Sequence, residues 1–211
     1  MKMKKYVVEF LGSFFLVLAV CLATGQGFGF FGMVSVGLML MVMVYAGKHI
    51  SGAHYNPAIS LAVFLRGKLA LGELPAYLVA QGVGGVLAAL LSMYFLQRMP
   101  VTAPEFYTIR IGPALLAEFA GTFILTYVYL NVFSTKALPN NSYYGLAIGF
   151  AMTASMLVFG QISAAAFNPA IATGISVAQF SAWPDYWVYL AAELAGGAVA
   201  AFVFNYLNGP E

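Results

Sequence analysis

Charge is what this sequence has least of. Of 211 residues only 8% are Asp, Glu, Lys or Arg, whereas soluble globular chains carry about 25%. So few charges cannot cover a water-facing surface for a chain of this length, which excludes an ordinary soluble domain. Cysteine is nearly absent too. Cys21 stands alone, so no intrachain disulfide can form, and a single thiol in an apolar run reads as a small packed hydrophobe. Histidine is limited to His49 and His54. With no further ligands near them in sequence, no metal site is expected, and no motif asks for a cofactor. The basic residues are scattered, without the clustered stripe that nucleic-acid binding requires. No nucleophile elbow or paired-histidine zinc motif is present, so no enzyme activity is expected. Residues 27–32 fit a dinucleotide glycine pattern in form only: no strand precedes them and no acidic residue follows about 20 positions on. They read as part of an outer loop.

Apolar residues fill the space. They make up 62% of the chain, with a mean hydropathy of +0.88, which puts the chain among membrane proteins. Six long apolar segments lie at roughly 6–24, 29–47, 74–96, 113–133, 143–161 and 183–206. Each is close to the ~20 residues that cross a ~30 Å hydrocarbon core as a helix. Lys2, Lys4 and Lys5 before the first run imitate a secretory signal. Glu9 interrupts that run, however, and the segment has an internal counterpart, so it is expected to remain as the first span. Two further apolar segments, at 56–65 and 168–178, are too short to cross; at ~1.5 Å per residue each reaches about 15 Å, and two end to end would cross one bilayer. With the N-terminus in the cytoplasm, inner loops carry Lys2, Lys4, Lys5, Lys48, Arg66, Lys68 and Lys136, and outer loops only Arg98 and Arg110. That asymmetry satisfies the positive-inside rule and places both termini in the cytoplasm, with the chain in a plasma or inner membrane. Trp183, Tyr186 and Trp187 stand where an interfacial anchor belongs.

The two halves of the chain resemble each other. Glu9-Phe-Leu-Gly12-Ser13-Phe matches Glu118-Phe-Ala-Gly121-Thr122-Phe. Ser51-Gly-Ala-His-Tyr-Asn-Pro-Ala58 matches Ser163-Ala-Ala-Ala-Phe-Asn-Pro-Ala170, and the stretch from Tyr77 to Gly85 matches that from Tyr189 to Gly197. Three blocks in one order indicate a duplication. Each unit holds three spans and one short segment, and three is odd, so the second unit enters the membrane upside down as an inverted repeat. The expectation is one channel domain over 1–211, with repeats of about 1–100 and 110–211.

The repeated Asn-Pro-Ala carries the chemistry. Asn caps a helix N-terminus with its side-chain oxygen, and Pro fits the first helical position, where its missing N–H costs nothing. Asn56-Pro57-Ala58 and Asn168-Pro169-Ala170 therefore start two short helices. The inverted symmetry can bring both starts to the midplane, with both positive dipole ends and both Asn N–H donors facing one space. That space favours an oxygen with lone pairs, repels cations and interrupts proton hopping along a water file.

These paired motifs, the residues from Ser51 to Ala58 and both Glu blocks resemble the aquaporin, or major intrinsic protein, family over essentially the whole chain. The resemblance implies an all-α membrane protein of six transmembrane helices plus two re-entrant half-helices. It implies a homotetramer with one pore per subunit, in a lipid bilayer, passing water and small neutral solutes by passive diffusion. Glu9 and Glu118 then serve as acceptors for the backbone of the re-entrant segments, and His54 resembles the family's buried hydrogen-bonding histidine. His49 stands as a candidate gate at the cytoplasmic vestibule. By spacing, the family's selectivity filter falls on Val36, Met156, Ala165 and Ile171. The usual arginine after the second motif is replaced by Ile171, and the histidine that water-selective members carry on the fifth span by Met156. An apolar filter of this kind suits glycerol, ammonia, urea-like molecules or neutral metalloid acids if wide, and can dewet if tight. Two alternatives stand beside a channel: a non-conducting structural or adhesive member of the same fold, and an ion-coupled secondary transporter.

Overall fold

The computed structural model describes residues 2–27, 29–99 and 108–209. Within them the chain forms helices α1 (Lys2–Gly25), α2 (Gly29–Ser51), α3 (Pro57–Leu65), α4 (Leu74–Leu96), α5 (Ile111–Ser134), α6 (Tyr144–Ser163), α7 (Pro169–Val177) and α8 (Tyr186–Asn208). A single 3-10 turn, Trp183–Asp185, leads into α8. Six of the helices are long and apolar enough to cross a membrane. The two nine-residue helices α3 and α7 reach only about 14 Å each, as expected for half-spans. Gly29 already belongs to α2, so of the glycine pattern at 27–32 only Gly27 lies outside a helix among the described residues.

Two long helices run further than their hydropathy. α2 and α6 continue past the expected ends near 47 and 161 to Ser51 and Ser163. Hydropathy drops at Lys48, but a helix stops where its backbone bonding stops. Here the two terminal serines turn their hydroxyls onto buried carboxylates, Ser51 onto Glu9 at 2.7 Å and Ser163 onto Glu118 at 2.5 Å.

The long helices pair in matching fashion, α1 with α4 and α5 with α8, while α2 crosses α6. Each short helix is held by the other half of the chain: α3 packs on α8, and α7 packs on α4. Glycines make these approaches possible. A Cβ on Gly84 would stand 2.6 Å from the Phe10 carbonyl oxygen, and one on Gly196 2.6 Å from that of Phe119. Gly85 and Gly197 face the carbonyls of Ala170 and Ala58, each at 2.7 Å from such a Cβ. Small residues at crossings of this kind replace the hydrophobic driving force that is missing inside lipid. Gly82 does not share this role, since nothing lies within 4 Å of its Cβ position.

Apolar side chains fill the core and also cover the outer faces, and a small set of polar ones is buried among them. Glu9, Gln81, Glu118 and Glu193 are fully buried, while Leu116, Val158 and Phe202 are exposed on the outer faces. Those faces form the lipid-contacting belt.

Candidate functional site

The site forms where α3 and α7 begin. Asn56 and Asn168 sit at their N-caps in extended conformation, with Pro57 and Pro169 in the first turn. Asn56 Oδ1 accepts from the Ala58 N–H at 2.8 Å, and Asn168 Oδ1 accepts from the Ala170 N–H at 2.9 Å. Each cap is worth about 1 kcal/mol to its helix. The amide nitrogens reach across the junction. Asn56 Nδ2 donates to the Phe167 carbonyl and Asn168 Nδ2 to the Tyr55 carbonyl, both at 2.9 Å. Each Asn thus caps its own half-helix with its oxygen and clasps the chain leading to the other with its nitrogen. An amide nitrogen carries two N–H groups, so the clasp leaves one on each Asn.

The segments that deliver the two asparagines adopt the left-handed backbone at matching, non-glycine positions: Ala53 (φ 56°) with Ala165 (φ 52°), and Tyr55 (φ 51°) with Phe167 (φ 49°). That conformation costs about 1–2 kcal/mol per residue, so something must hold it. Glu9 does so in the first half: its Oε1 accepts from the His54 N–H at 3.0 Å and its Oε2 from the Tyr55 N–H at 2.7 Å. Glu118 repeats this with the N–H groups of Ala166 (3.1 Å) and Phe167 (2.7 Å). Bonds from backbone N–H to an ionised carboxylate are about twice as strong as neutral ones. Tyrosines complete the cradle. Tyr77 donates to the Ser51 carbonyl at 2.7 Å and Tyr189 to that of Ser163 at 2.8 Å.

His54 is buried, with Nδ1 3.0 Å from Ser60 Oγ on α3 and its ring between those of Tyr77 and Tyr129. It also lines a cavity of about 310 Å³ at one mouth, together with Lys5, Lys48, Lys68 and Tyr129. His49 does not line this cavity; it is exposed on α2. One residue is about 100° of helix, which turns Lys48 to the mouth and its neighbour His49 away. Lys48 Nζ lies 3.8 Å from the Tyr144 ring centroid, and Lys5 is paired with Glu73 at 3.2 Å.

Toward the opposite mouth, a cavity of about 300 Å³ is lined by Val36, Met156 and Ala165. Three of the four residues singled out by spacing therefore share one wall. Ile171 does not line this cavity. Met33, Ile175 and Phe180 also belong to the wall. They lie on helix faces and a loop that no motif marks. Among the described residues on this wall there is no Lys, Arg or His.

The sequence reading also missed Gln81 and Glu193. Gln81 Nε2 donates to Glu9 Oε2 at 2.8 Å, and Glu193 Oε1 accepts from the Asn168 N–H at 3.0 Å. The match between the blocks around Tyr77 and Tyr189 was the available signal, because it sets Gln81 against a carboxyl group in the middle of a span.

The family model for the major intrinsic protein matches residues 1–204. A probable aquaporin of TIP type from Medicago truncatula is 31% identical across 97% of this chain and 87% of its own length. Aquaporin NIP1-1 of Zea mays is 34% identical across 97% of this chain and 75% of its own. The X-ray structure of the aquaglyceroporin from Plasmodium falciparum shares the fold, with a TM-score of 0.81 at 21% identity over 97% of this chain and 96% of that one. Nothing in these likenesses favours a non-conducting or an ion-coupled protein. The chain belongs to the major intrinsic protein family and is a passive transmembrane channel for water and small solutes.

Proposed function

We propose that this channel passes small uncharged solutes of the glycerol, urea, ammonia or neutral metalloid acid classes along with water itself. The observation that carries this reading is the apolar wall of Val36, Met156 and Ala165, joined by Met33, Ile175 and Phe180, with no cationic side chain among the described residues on it. An arginine there would narrow the path and compete for its hydrogen bonds; apolar side chains let a small polyol slide past its carbon skeleton. The permeant's oxygen then meets the free N–H of Asn56 and of Asn168 at the half-helix junction. The positive ends of both half-helices face the same point and repel cations. Lys48 and Lys68 at the other mouth add to that repulsion, while the charge of Lys5 is offset by Glu73.

The remaining parts of the reading follow the family resemblance. The chain is one channel domain over 1–211, built of inverted units of about 1–100 and 110–211. It assembles as a homotetramer with a pore in each subunit, in a plasma or inner membrane with both termini cytoplasmic. Native mass spectrometry from lipid nanodiscs reads the assembly directly.

Stopped-flow light scattering on proteoliposomes tests the function by comparing osmotic water flow with glycerol and urea flow against empty vesicles. Solute flux well above the empty-vesicle rate is the expected result. Water flux without solute flux would overturn the solute class and mean that Met156 or Met33 closes the ring.

A further inference from the structure

Glu193 is a third carboxyl group inside the bundle, and it lines neither cavity. It lies on α8 and is fully buried. Its Oε1 accepts from the Asn168 N–H at 3.0 Å, the next backbone N–H after that of Phe167, which Glu118 Oε2 holds at 2.7 Å, so the two carboxyl groups bind neighbouring peptide groups of one buried segment. Glu118 already accepts three bonds, from Ser163 Oγ, Ala166 N–H and Phe167 N–H. Glu193 Oε2 is buried without a hydrogen-bond partner. Two ionised carboxylates only accept, so they cannot bond to each other, and their charges repel strongly where water is excluded. The surroundings offer no relief. Glu118 comes from α5. Tyr189 lies one turn earlier on α8 and donates to the Ser163 carbonyl. Asp185 stands at the start of that helix. The half-helices α3 and α7, both packed on α8, carry no ionisable side chain.

The first half of the molecule shows what this position does. Gln81 matches Glu193 in the repeat, and its Nε2 donates to Glu9 Oε2 at 2.8 Å and to Ser60 Oγ at 2.9 Å. An amide brings its own N–H donor. A carboxyl group in the same place has a donor only if it holds a proton.

We propose that Glu193 is a carboxylic acid in the resting channel, donating its proton to Glu118 while its other oxygen holds the Asn168 N–H. It is a positioning residue for the second Asn-Pro-Ala. One buried proton ties α8, α5 and the second re-entrant segment together, in the place where the first half uses an amide. The positioning role rests on the reading of Asn168 as a pore residue; the proton itself does not.

The test joins two measurements on the full chain in lipid. Infrared spectroscopy at neutral pH is expected to show the carbonyl stretch of a protonated carboxylic acid in the wild type and to lose it in Glu193→Gln. Stopped-flow flux should survive in Glu193→Gln, because glutamine supplies both the acceptor and the donor. It should fall roughly tenfold in Glu193→Leu, which supplies neither and strands the buried Asn168 N–H. A wild-type spectrum without the acid band, or a band unchanged in Glu193→Gln, overturns the proton. Flux in a folded Glu193→Gln channel reduced as far as in Glu193→Leu overturns the positioning role. If the Leu variant fails to fold, a folded Glu193→Gln channel whose flux falls roughly tenfold below wild type overturns the positioning role. A wild-type channel without solute flux would sink the proposed solute class and leave the infrared outcome standing.

Discussion

At the scale of single residues, Asn168 does two jobs with two atoms, and a substitution can separate them. In Asn168→Asp the carboxylate keeps the acceptor that caps Ala170 N–H but loses the donor that reaches the Tyr55 carbonyl. It also sets a negative charge at the point where two helix N-termini face each other. Folding should survive, while cation exclusion weakens or neutral flux collapses. Planar-bilayer conductance beside stopped-flow flux reads both, and unchanged permeation with unchanged charge exclusion would count against the donor role. Met156 offers a second test. It lines the apolar wall, so Met156→Ala should raise glycerol flux relative to water by a few-fold, measured as the ratio of the two rates in the same vesicles. A ratio that stays put would move the constriction to other residues of that wall. Asn-Pro-Ala was readable from sequence because each of its residues acts locally: a cap, a first-turn proline and a small residue. Of the filter positions assigned by spacing, Val36, Met156 and Ala165 share one cavity wall and Ile171 does not line it. Which way Ile171 faces depends on how α7 is rotated against its neighbours, and that rotation is set by its packing on α4, α1 and α8. The same holds for His49 and Lys48, whose order around α2 decides which one meets the mouth.

At the scale of elements, the six spans and two half-helices were legible because lipid demands long apolar runs and leaves short ones needing an explanation. The ends were not. α1 begins at Lys2, taking in lysines that hydropathy assigns to the loop, and α2 and α6 extend to the serines that bond Glu9 and Glu118. Those ends depend on partners on other helices. Glycine shows the same division. Gly82, Gly84 and Gly85 look alike in sequence, yet only the last two meet neighbouring backbone. Gly197→Val should therefore be severe, because its Cβ would stand 2.7 Å from the Ala58 carbonyl. A backbone oxygen at the start of α3 cannot move without shifting Asn56. Loss of the monodisperse peak on size-exclusion chromatography, or a melting temperature lower by several degrees, is the expected result. Gly82→Ala should leave both unchanged and gain slightly in helix propensity, up to about 1 kcal/mol. Equal effects from the two substitutions would remove close packing as the reason for these glycines.

At the scale of the whole molecule, the asparagine, glutamate, serine and tyrosine bonds around the first Asn-Pro-Ala return around the second, with an acid at Glu193 where the first half has the amide of Gln81, and with alanines in the places of His54 and Ser60. Matching halves with an odd number of spans must face opposite ways, and this binds the pore to the orientation of the chain. The proposed orientation, with the N-terminus in the cytoplasm, sets the sign. Lys5, Lys48 and Lys68 gather at one mouth, and Lys136 lies exposed in the loop after α5. Arg98 is exposed at the end of α4, an odd number of crossings away from both. The native Cys21 is fully buried between helices, so it leaves a low background for thiol labelling, and Cys21→Ser removes even that. In intact cells, Arg98→Cys should react with a membrane-impermeant maleimide, whereas Lys136→Cys should react only after the membrane is opened. Inside-out vesicles should reverse the pattern. If Lys136→Cys labels from outside, the chain sits the other way up. The lysine-lined mouth would then face the exterior and the apolar wall of Met156 the cytoplasm, so that a solute entering the cell would meet charge before it met the constriction.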